Sequence, residues 1–216
     1  MALFPIPDVV AFPGNDLPLH VFEPRYRKLV HDCVEHNRMI GVCHTVKAIS
    51  TPTKKQSIEE ALASNQTTYK PHQVFSAGHC EILETTADGR IIANVRMTQR
   101  LQLETELQSL PYRIVSCTPL NDLLSSPGNE HSDHDHAQTL QTLIHQKLVA
   151  LVETETNSEN PLLDELKSSV WTSLTPYDYS FRVFRFVRFE ADIMQSILES
   201  QTVGARLDLL WELLSS

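Results

Sequence analysis

The hydrophobic period of this 216-residue chain changes once along its length, and this change constrains the fold more than any other feature. Between residues 73 and 119, apolar and polar side chains alternate as they do in β-strands. After residue 137, apolar side chains recur every three to four positions, as on one face of a helix. The sequence therefore predicts an α+β fold in which a β-rich part precedes an α-helical part.

The first 46 residues predict short strands around one helix. Leu3-Phe4-Pro5-Ile6-Pro7 is apolar but interrupted by proline, which favours an edge strand. Pro24 stands where a first helical residue is expected, an apolar face at helical spacing follows it, and Asn37 is typical of a helix end. We expect this helix at about residues 24–36.

Further along the chain, turn and linker signals divide it into parts. The polar residues 47–72 predict a long loop with one helical turn around 58–63. Asp88-Gly89 predicts a hairpin turn of type I′, which needs positive φ at both residues. The Ser-, Pro- and Gly-containing segment 120–136 predicts a linker between a β-barrel part, 1–119, and a helical subdomain, 137–216.

The charge balance bears on the possible partners. Lys and Arg number 18 against 27 Asp and Glu, so the net charge of −9 argues against a broad phosphate-binding face. Within an aromatic-rich segment, 177–188, which is expected to be helical, Arg182, Arg185 and Arg188 are spaced by three and form a candidate basic surface. This cluster is either a solvated helical face, or paired with Glu190 and Asp192, or a binding surface for an acidic partner.

Motifs for the common catalytic chemistries are absent from the sequence. No two of the six glycines are four or five residues apart, which excludes the phosphate-binding G-x-x-x-x-G-K loop and the G-x-S-x-G nucleophile elbow. No H-E-x-x-H motif is present. Residues 130–136 contain three histidines and three carboxylates, which we interpret as a solvated linker rather than a metal site. We expect no cofactor, no metal and no enzymatic activity.

The cysteines and the N-terminus indicate a cellular location. Four cysteines without a C-x-x-C pair are typical of free thiols in a reducing compartment. The N-terminus lacks the basic region of a signal peptide, and no apolar run is long enough to span a membrane. We therefore expect a cytoplasmic protein that does not engage membranes.

One N-terminal pattern resembles a known family. The run Leu3-Phe4-Pro5-Ile6-Pro7-Asp8-Val9-Val10-Ala11-Phe12-Pro13-Gly14, followed by Leu17-Pro18-Leu19-His20-Val21-Phe22-Glu23-Pro24-Arg25-Tyr26, resembles the N-terminal, PUA-like substrate-binding domain of Lon proteases. Weaker collinear matches follow at Gly41-Val42, Phe75-Ser76-Ala77-Gly78, Asp88-Gly89-Arg90, Pro111-Tyr112 and Arg206-Leu207. The segment Met97-Thr98-Gln99-Arg100-Leu101 departs from the family pattern because it lacks a glycine.

The resemblance implies a fold and a role. It implies a PUA-like β-barrel followed by a helical bundle, in a bacterial-type, standalone protein without the ATPase and protease parts of Lon. It also implies recognition of unfolded or peptide-like protein segments through apolar grooves, barrel edges or the 47–72 loop, with a separate ATPase or protease as a further partner. RNA binding, known for other PUA-like barrels, is the alternative, and a small-molecule or metal-dependent enzyme is a third.

Candidate binding residues come from the matching motif. Its members either build the scaffold or contact the ligand directly, and Glu23 and Arg25 are expected to form an ion pair near the mouth of the barrel. The candidate residues are Pro13, Gly14, His20, Phe22, Glu23, Arg25 and Tyr26.

Overall fold

The computed structural model describes residues 1–50, 68–155 and 160–215. These residues form two compact units. The first comprises residues 1–120 and 189–198, and the second comprises residues 121–188 and 199–216. The predicted α+β class, with strands in the N-terminal part and helices in the C-terminal part, is confirmed. The expected helical turn around 58–63 lies outside the described residues.

The first unit is built around a barrel. Its strands are β1 (Ala2–Pro5), β2 (Asp16–Val21), β3 (Met39–Cys43), β4 (Thr45–Ser50), β5 (Thr68–Pro71), β6 (Val74–Thr85), β7 (Ile91–Gln108) and β8 (Arg113–Pro119). One sheet has the order β2-β7-β6-β3-β1-β8, and β8 also pairs with β7. This last pairing closes five of the strands into a barrel and leaves β2 joined to β7 alone among the described strands.

The predicted edge position of β1 is wrong. β1 lies between β3, with which it runs parallel, and β8, with which it is antiparallel. The proline is tolerated because Pro5 is the last residue of the strand, and because β8 pairs only with Ala2 and Leu3.

Both ends of the segment 47–72, predicted as a loop, are strands, and its residues 51–67 lie outside the described residues. Thr45–Ser50 and Thr68–Pro71 pair as an antiparallel two-stranded sheet with two register shifts. The polar composition of this segment hid the strands, because the strand signal in a sequence is the alternation of apolar and polar residues.

The hairpin between β6 and β7 forms where it was expected, with a different turn. Gly89 has a φ of 82°, whereas Asp88 does not have a positive φ, so the turn is not of type I′. Gly89 donates its N–H to the Thr86 carbonyl at 2.9 Å, and Thr86 donates to the Arg90 carbonyl at 2.9 Å. Gly89, in the left-handed conformation, therefore comes after the turn, as in hairpin loops of three or more residues.

Helix α1 (Pro24–Glu35) agrees closely with the predicted range 24–36. Its apolar face, which packs into the barrel core, consists of Tyr26, Leu29, Val30 and Cys33. Asn37, just beyond the helix, has a φ of 49°, the left-handed conformation that ends many helices.

The second unit is helical. Its helices are α2 (Glu130–Glu155), α3 (Pro161–Lys167), α4 (Ser169–Thr172), α5 (Pro176–Arg182) and α7 (Val203–Ser215), whereas α6 (Ala191–Glu199) belongs almost entirely to the first unit. Helix α2 begins at Glu130, although the sequence pattern placed its start at Ala137. Carboxylates at the first turn of a helix are favoured by its dipole, so the acidic segment extends the helix rather than forming a linker.

The core of the second unit receives side chains from α2, α5 and α7, and also buried Leu166 of α3 and Trp171 of α4. Leu140, Ile144 and Leu148 of α2 are buried on one stripe, as their spacing predicted. Helix α2 packs against α7, where Leu207 and Leu210 are fully buried. Among the described residues, no helix is long and apolar enough to cross a membrane.

Candidate functional site

The candidate site lies along the edge of β2 that pairs with no other strand in residues 1–50, 68–155 and 160–215. In an antiparallel pair, every second residue of a strand exchanges backbone hydrogen bonds with its neighbour. Met97 donates its N–H to the Asn15 carbonyl at 3.0 Å, so the residues of β2 that bond to β7 are the odd-numbered ones. The peptide groups of Pro18 and His20 therefore point away from β7. Pro18 has no N–H, and an outward position is where a strand tolerates proline.

A groove of about 370 Å³ follows this edge. One wall is the chain from Phe4 to Pro7, and the other is β2 together with the residues that lead into α1. Every residue from Leu17 to Phe22 lines the groove. Because neighbouring strand residues point to opposite faces, contact with all of them indicates that the groove runs along the strand edge and not over one face.

The walls of the groove are mainly apolar. Phe4 of β1 and Tyr26 of α1 both line the groove and are buried, with ring centroids 4.3 Å apart. Ile6 and Leu17 are partly exposed and pack against the core cluster. These two residues were not among the sequence candidates, although the alternating pattern of β2 and the apolar N-terminal run contained the signal.

One ion pair lies in the groove, as the sequence indicated. Arg25 donates from Nε and Nη2 to Oε2 of Glu23 at 3.0 and 2.9 Å. Both side chains are largely buried, and the Arg25 guanidinium lies 4.5 Å from the Tyr26 ring centroid. The pair introduces two charges into the groove but almost no net charge.

The candidates Pro13 and Gly14 lie outside the groove lining. Gly14 has a φ of 80° and donates its N–H to the Met97 carbonyl at 2.9 Å. This turn starts β2 against β7, so these two residues position the strand whose other edge borders the groove. His20, Phe22, Glu23, Arg25 and Tyr26 all line the groove.

Two contacts hold α1 beside the groove. Arg27 donates to the Gly89 carbonyl at 3.0 Å, which attaches the helix to the β6–β7 hairpin. The Tyr112 hydroxyl donates to Oδ2 of Asp32 at 2.7 Å. This hydrogen bond lowers the pKa of Asp32, whereas burial and the neighbouring carboxylate raise the pKa of Tyr112 to about 12.

Comparison with known proteins decides the family. A family model described as the ATP-dependent protease La (LON) substrate-binding domain matches residues 1–216. The chain belongs to this family. No curated protein sequence matches it.

Two solved structures share the fold of this Lon substrate-binding domain. The N-terminal domain of the Mycobacterium avium complex Lon protease is 14% identical, with a TM-score of 0.68, and the match covers 100% of this chain and 97% of that one. A Lon N-terminal domain protein from Xanthomonas campestris is 20% identical, with a TM-score of 0.55, and the match covers 98% of this chain and 96% of that one.

The arginine cluster of this Lon-family chain does not form the expected helical face. Helix α5 ends at Arg182, Arg185 lies in a 3₁₀ turn, and Arg188 lies beyond that turn. Arg185 pairs with Glu165 at 2.9 Å, and the Arg182 guanidinium lies 5.4 Å from the Trp171 ring centroid. A binding role for these arginines stays a prediction.

A metal-like cluster of His44, His72 and Asp192 was not found from the sequence, because its members are far apart in the chain. Their ligand atoms lie within 4.8 Å of one another. The Asp8 N–H donates to Nδ1 of His44 at 3.1 Å, so a neutral His44 carries its proton on Nε2, which faces Asp192 at 3.4 Å. A histidine that binds a metal through Nε2 needs this nitrogen unprotonated and normally donates a hydrogen bond from Nδ1. The hydrogen bonds therefore indicate a donor to Asp192 and not a metal ligand.

Proposed function

We propose that this chain is a non-catalytic recognition module that binds an extended, mainly apolar protein segment in the groove beside β2. The observation that carries the proposal is the outward orientation of the Pro18 and His20 peptide groups along an apolar groove. An extended segment can add to such a strand edge through main-chain hydrogen bonds, while its alternate side chains enter the groove. Membership of the Lon substrate-binding domain family supports a role in recognition.

The chemistry of the edge limits how a segment binds. His20 offers an N–H and a carbonyl, whereas Pro18 offers only a carbonyl. The missing donor also reduces pairing between the edges of two copies, a common protection of exposed strands. The bound segment would therefore pair around His20 and be held elsewhere by side-chain contacts with residues such as Ile6 and Leu17.

The Glu23–Arg25 pair bears on selectivity. Because the two charges neutralise each other, the groove attracts neither sign of charge over a distance. Binding should therefore depend on apolar content and main-chain pairing, and only weakly on salt. Strong salt dependence would instead indicate that charged surfaces elsewhere bind the probe.

The test uses fluorescently labelled, reduced and carboxymethylated α-lactalbumin, which stays unfolded, with native α-lactalbumin as the comparison. Two substitutions at one position separate the main chain from the side chain. His20→Ala keeps the outward N–H and should bind as the unsubstituted chain does. His20→Pro removes that donor and should weaken binding about tenfold, the loss of about one hydrogen bond together with poorer pairing.

A second pair of variants tests the apolar wall. Leu17→Asp places a carboxylate in the groove and should abolish measurable binding. Leu83→Asp places the same charge at an exposed position of β6 and should leave binding unchanged. Equal binding by His20→Ala and His20→Pro, or by the two aspartate variants, would contradict the proposal, provided that circular dichroism shows all four to be folded.

Two further sequence predictions are not placed on particular residues. A separate ATPase or protease as partner, which the family relation favours, is tested by capture of the chain from its source cell with mass spectrometry. A cytoplasmic location, which the cysteines and the N-terminus favour, is tested by fractionation of that cell. RNA binding gains no observation in its favour, since Arg185 is already paired with a carboxylate. Salt-sensitive retention of RNA on a filter would support RNA binding.

A further inference from the structure

A second groove, separate from the one beside β2, lies within the helical unit. It has a volume of about 700 Å³. We define it here as the acidic groove. Its walls are formed by the chain from Asp122 to Ser125, the first turns of α2, the start of α5 and the start of α7.

Two leucines of this groove are unusually exposed. Leu123 is 62% exposed and Leu124 is 96% exposed, although the Leu123 N–H is bound to the Gln201 carbonyl at 2.8 Å. The backbone of the segment is thus tied down while its apolar side chains face solvent. Exposed apolar side chains that line a concave surface are typical of a binding site.

The acidic and basic side chains that line the acidic groove are mostly carboxylates. They are Asp122, Glu130, Asp133 and Asp208, together with His134 and His136, and none of them is a lysine or arginine. Asp122 is paired with Arg206, and Asp208 is paired with His136. Glu130 and Asp133 have no cationic partner among the described residues, since Glu130 accepts only the Gly128 N–H at 3.0 Å.

The wider charge distribution has the same sign. Residues 121–188 and 199–216 contain 13 acidic and 6 basic side chains, so the helical unit carries a net charge of −7 out of the total of −9. In the described part of this unit, at least three cations are bound to carboxylates: Arg185, Lys167 and Arg206. The field at the acidic groove therefore attracts cations.

We propose that the acidic groove binds a cationic amphipathic peptide segment. The apolar side chains of the segment would pack on Leu123, Leu124 and Tyr177, and its lysine or arginine side chains would face Glu130 and Asp133. This site is independent of the groove beside β2 and takes a ligand of different chemistry, because the first groove carries no net charge and this one carries several carboxylates.

The test measures fluorescence anisotropy of a labelled peptide made only of leucine and lysine in an amphipathic helical pattern. The peptide is titrated with the full chain at low and at high salt. A matched peptide with glutamate in place of lysine is the ligand control. We expect binding of the lysine peptide that weakens with salt, and no binding of the glutamate peptide.

Variants with matched controls localise the site. Glu130→Gln combined with Asp133→Asn should weaken binding about tenfold, about threefold for each exposed charge. Asp164→Asn also removes a carboxylate from a helix first turn, outside the groove, and should have no effect. Leu124→Ser should weaken binding at least about tenfold, whereas Leu162→Ser, at another exposed leucine, should not.

Several outcomes would overturn the proposal. Equal binding of the lysine and glutamate peptides would show that charge does not select the ligand. Unchanged binding by both groove variants, or loss of binding in Leu17→Asp alone, would place the peptide elsewhere. A dimer in sedimentation that Leu124→Ser dissociates would show that a second copy covers the groove. Failure of this proposal leaves the one for the groove beside β2 standing, since that groove is tested with a different probe and Leu17→Asp serves here only as a control.

Discussion

Replacement of Arg206 by methionine should destabilise the helical unit strongly. Arg206 is 1% exposed, and its guanidinium donates to both carboxylate oxygens of Asp122 at 2.8 and 2.6 Å. It also donates to the Ser180 hydroxyl at 2.9 Å and to the Ser200 carbonyl at 3.0 Å. The guanidinium lies 4.2 Å from the Phe181 ring centroid.

The magnitude follows from what the substitution leaves behind. Methionine fills most of the arginine volume, so the main loss is electrostatic. Removal of one partner of a buried ion pair costs about 3–5 kcal/mol. The Asp122 side chain is 16% exposed and can be partly rehydrated, and Ser180 still donates to the Tyr177 carbonyl at 2.7 Å. We therefore expect the lower part of that range, about 3 kcal/mol.

The assay is urea unfolding followed by tryptophan fluorescence. Both tryptophans, Trp171 and Trp211, belong to the helical unit, so their emission reports the unfolding of that unit. With a slope of about 1–3 kcal/mol per molar urea, the midpoint should fall by roughly 1–3 M. In the control Lys167→Met, which breaks an ion pair whose side chains are 51% and 48% exposed, the loss should stay below about 1 kcal/mol.

A double variant separates the ion pair from packing. If the cost comes from an unpaired carboxylate, Arg206→Met combined with Asp122→Leu should recover most of the lost stability, since apolar replacement of both partners is often neutral. A single variant that loses less than about 1 kcal/mol, as the exposed control does, would refute the reasoning.

Three further predictions concern the barrel unit and helix α7. Gly78→Ala would place a Cβ that overlaps the Arg96 carbonyl oxygen and should cost at least about 3 kcal/mol in urea unfolding followed by circular dichroism. Gly204→Ala, in α7 with its nearest contact at 3.7 Å, should instead stabilise by up to about 1 kcal/mol. Tyr112→Phe should raise the pKa of Asp32, as measured by NMR titration. The lowered pKa stabilises the fold above the pKa of unfolded Asp, about 3.9, so the variant should cost about 1 kcal/mol near pH 7 and less as the pH falls through the folded pKa. Burial raises the pKa of three thiols, those of Cys33, Cys43 and Cys80, to about 11 or 12. They should therefore react slowly with a disulfide reagent near pH 8 until the chain is denatured, and fast reaction of the native chain would contradict this prediction.

Glycines singled out by their resemblance to the Lon family have a clear physical reason in the structure. A Cβ at Gly41 would lie 2.5 Å from the Phe75 ring, and one at Gly78 would overlap the backbone of β7. These close approaches cannot be derived from the sequence around each glycine, because Phe75 and β7 are brought there by strand pairing over long separations.

The sequence by itself determined the features that depend on near neighbours. Pro24 and Asn37 bound helix α1, because the proline favours a first helical position and the asparagine adopts the left-handed conformation. Asp88-Gly89 marked the hairpin, and the change of hydrophobic period marked the order of β and helical parts. The Glu23–Arg25 ion pair, two residues apart, was also within reach of the sequence.

The tertiary structure alone decided the features that depend on distant partners. The central position of β1, the unpaired edge of β2 and the carboxylate that Arg206 binds 84 residues away all follow from long-range pairing. Hydrophobic period specifies which face of a strand or helix is buried, but not which other segment buries it. The two grooves therefore became visible only in the folded chain, because each lies between segments whose neighbours are chosen by the fold as a whole.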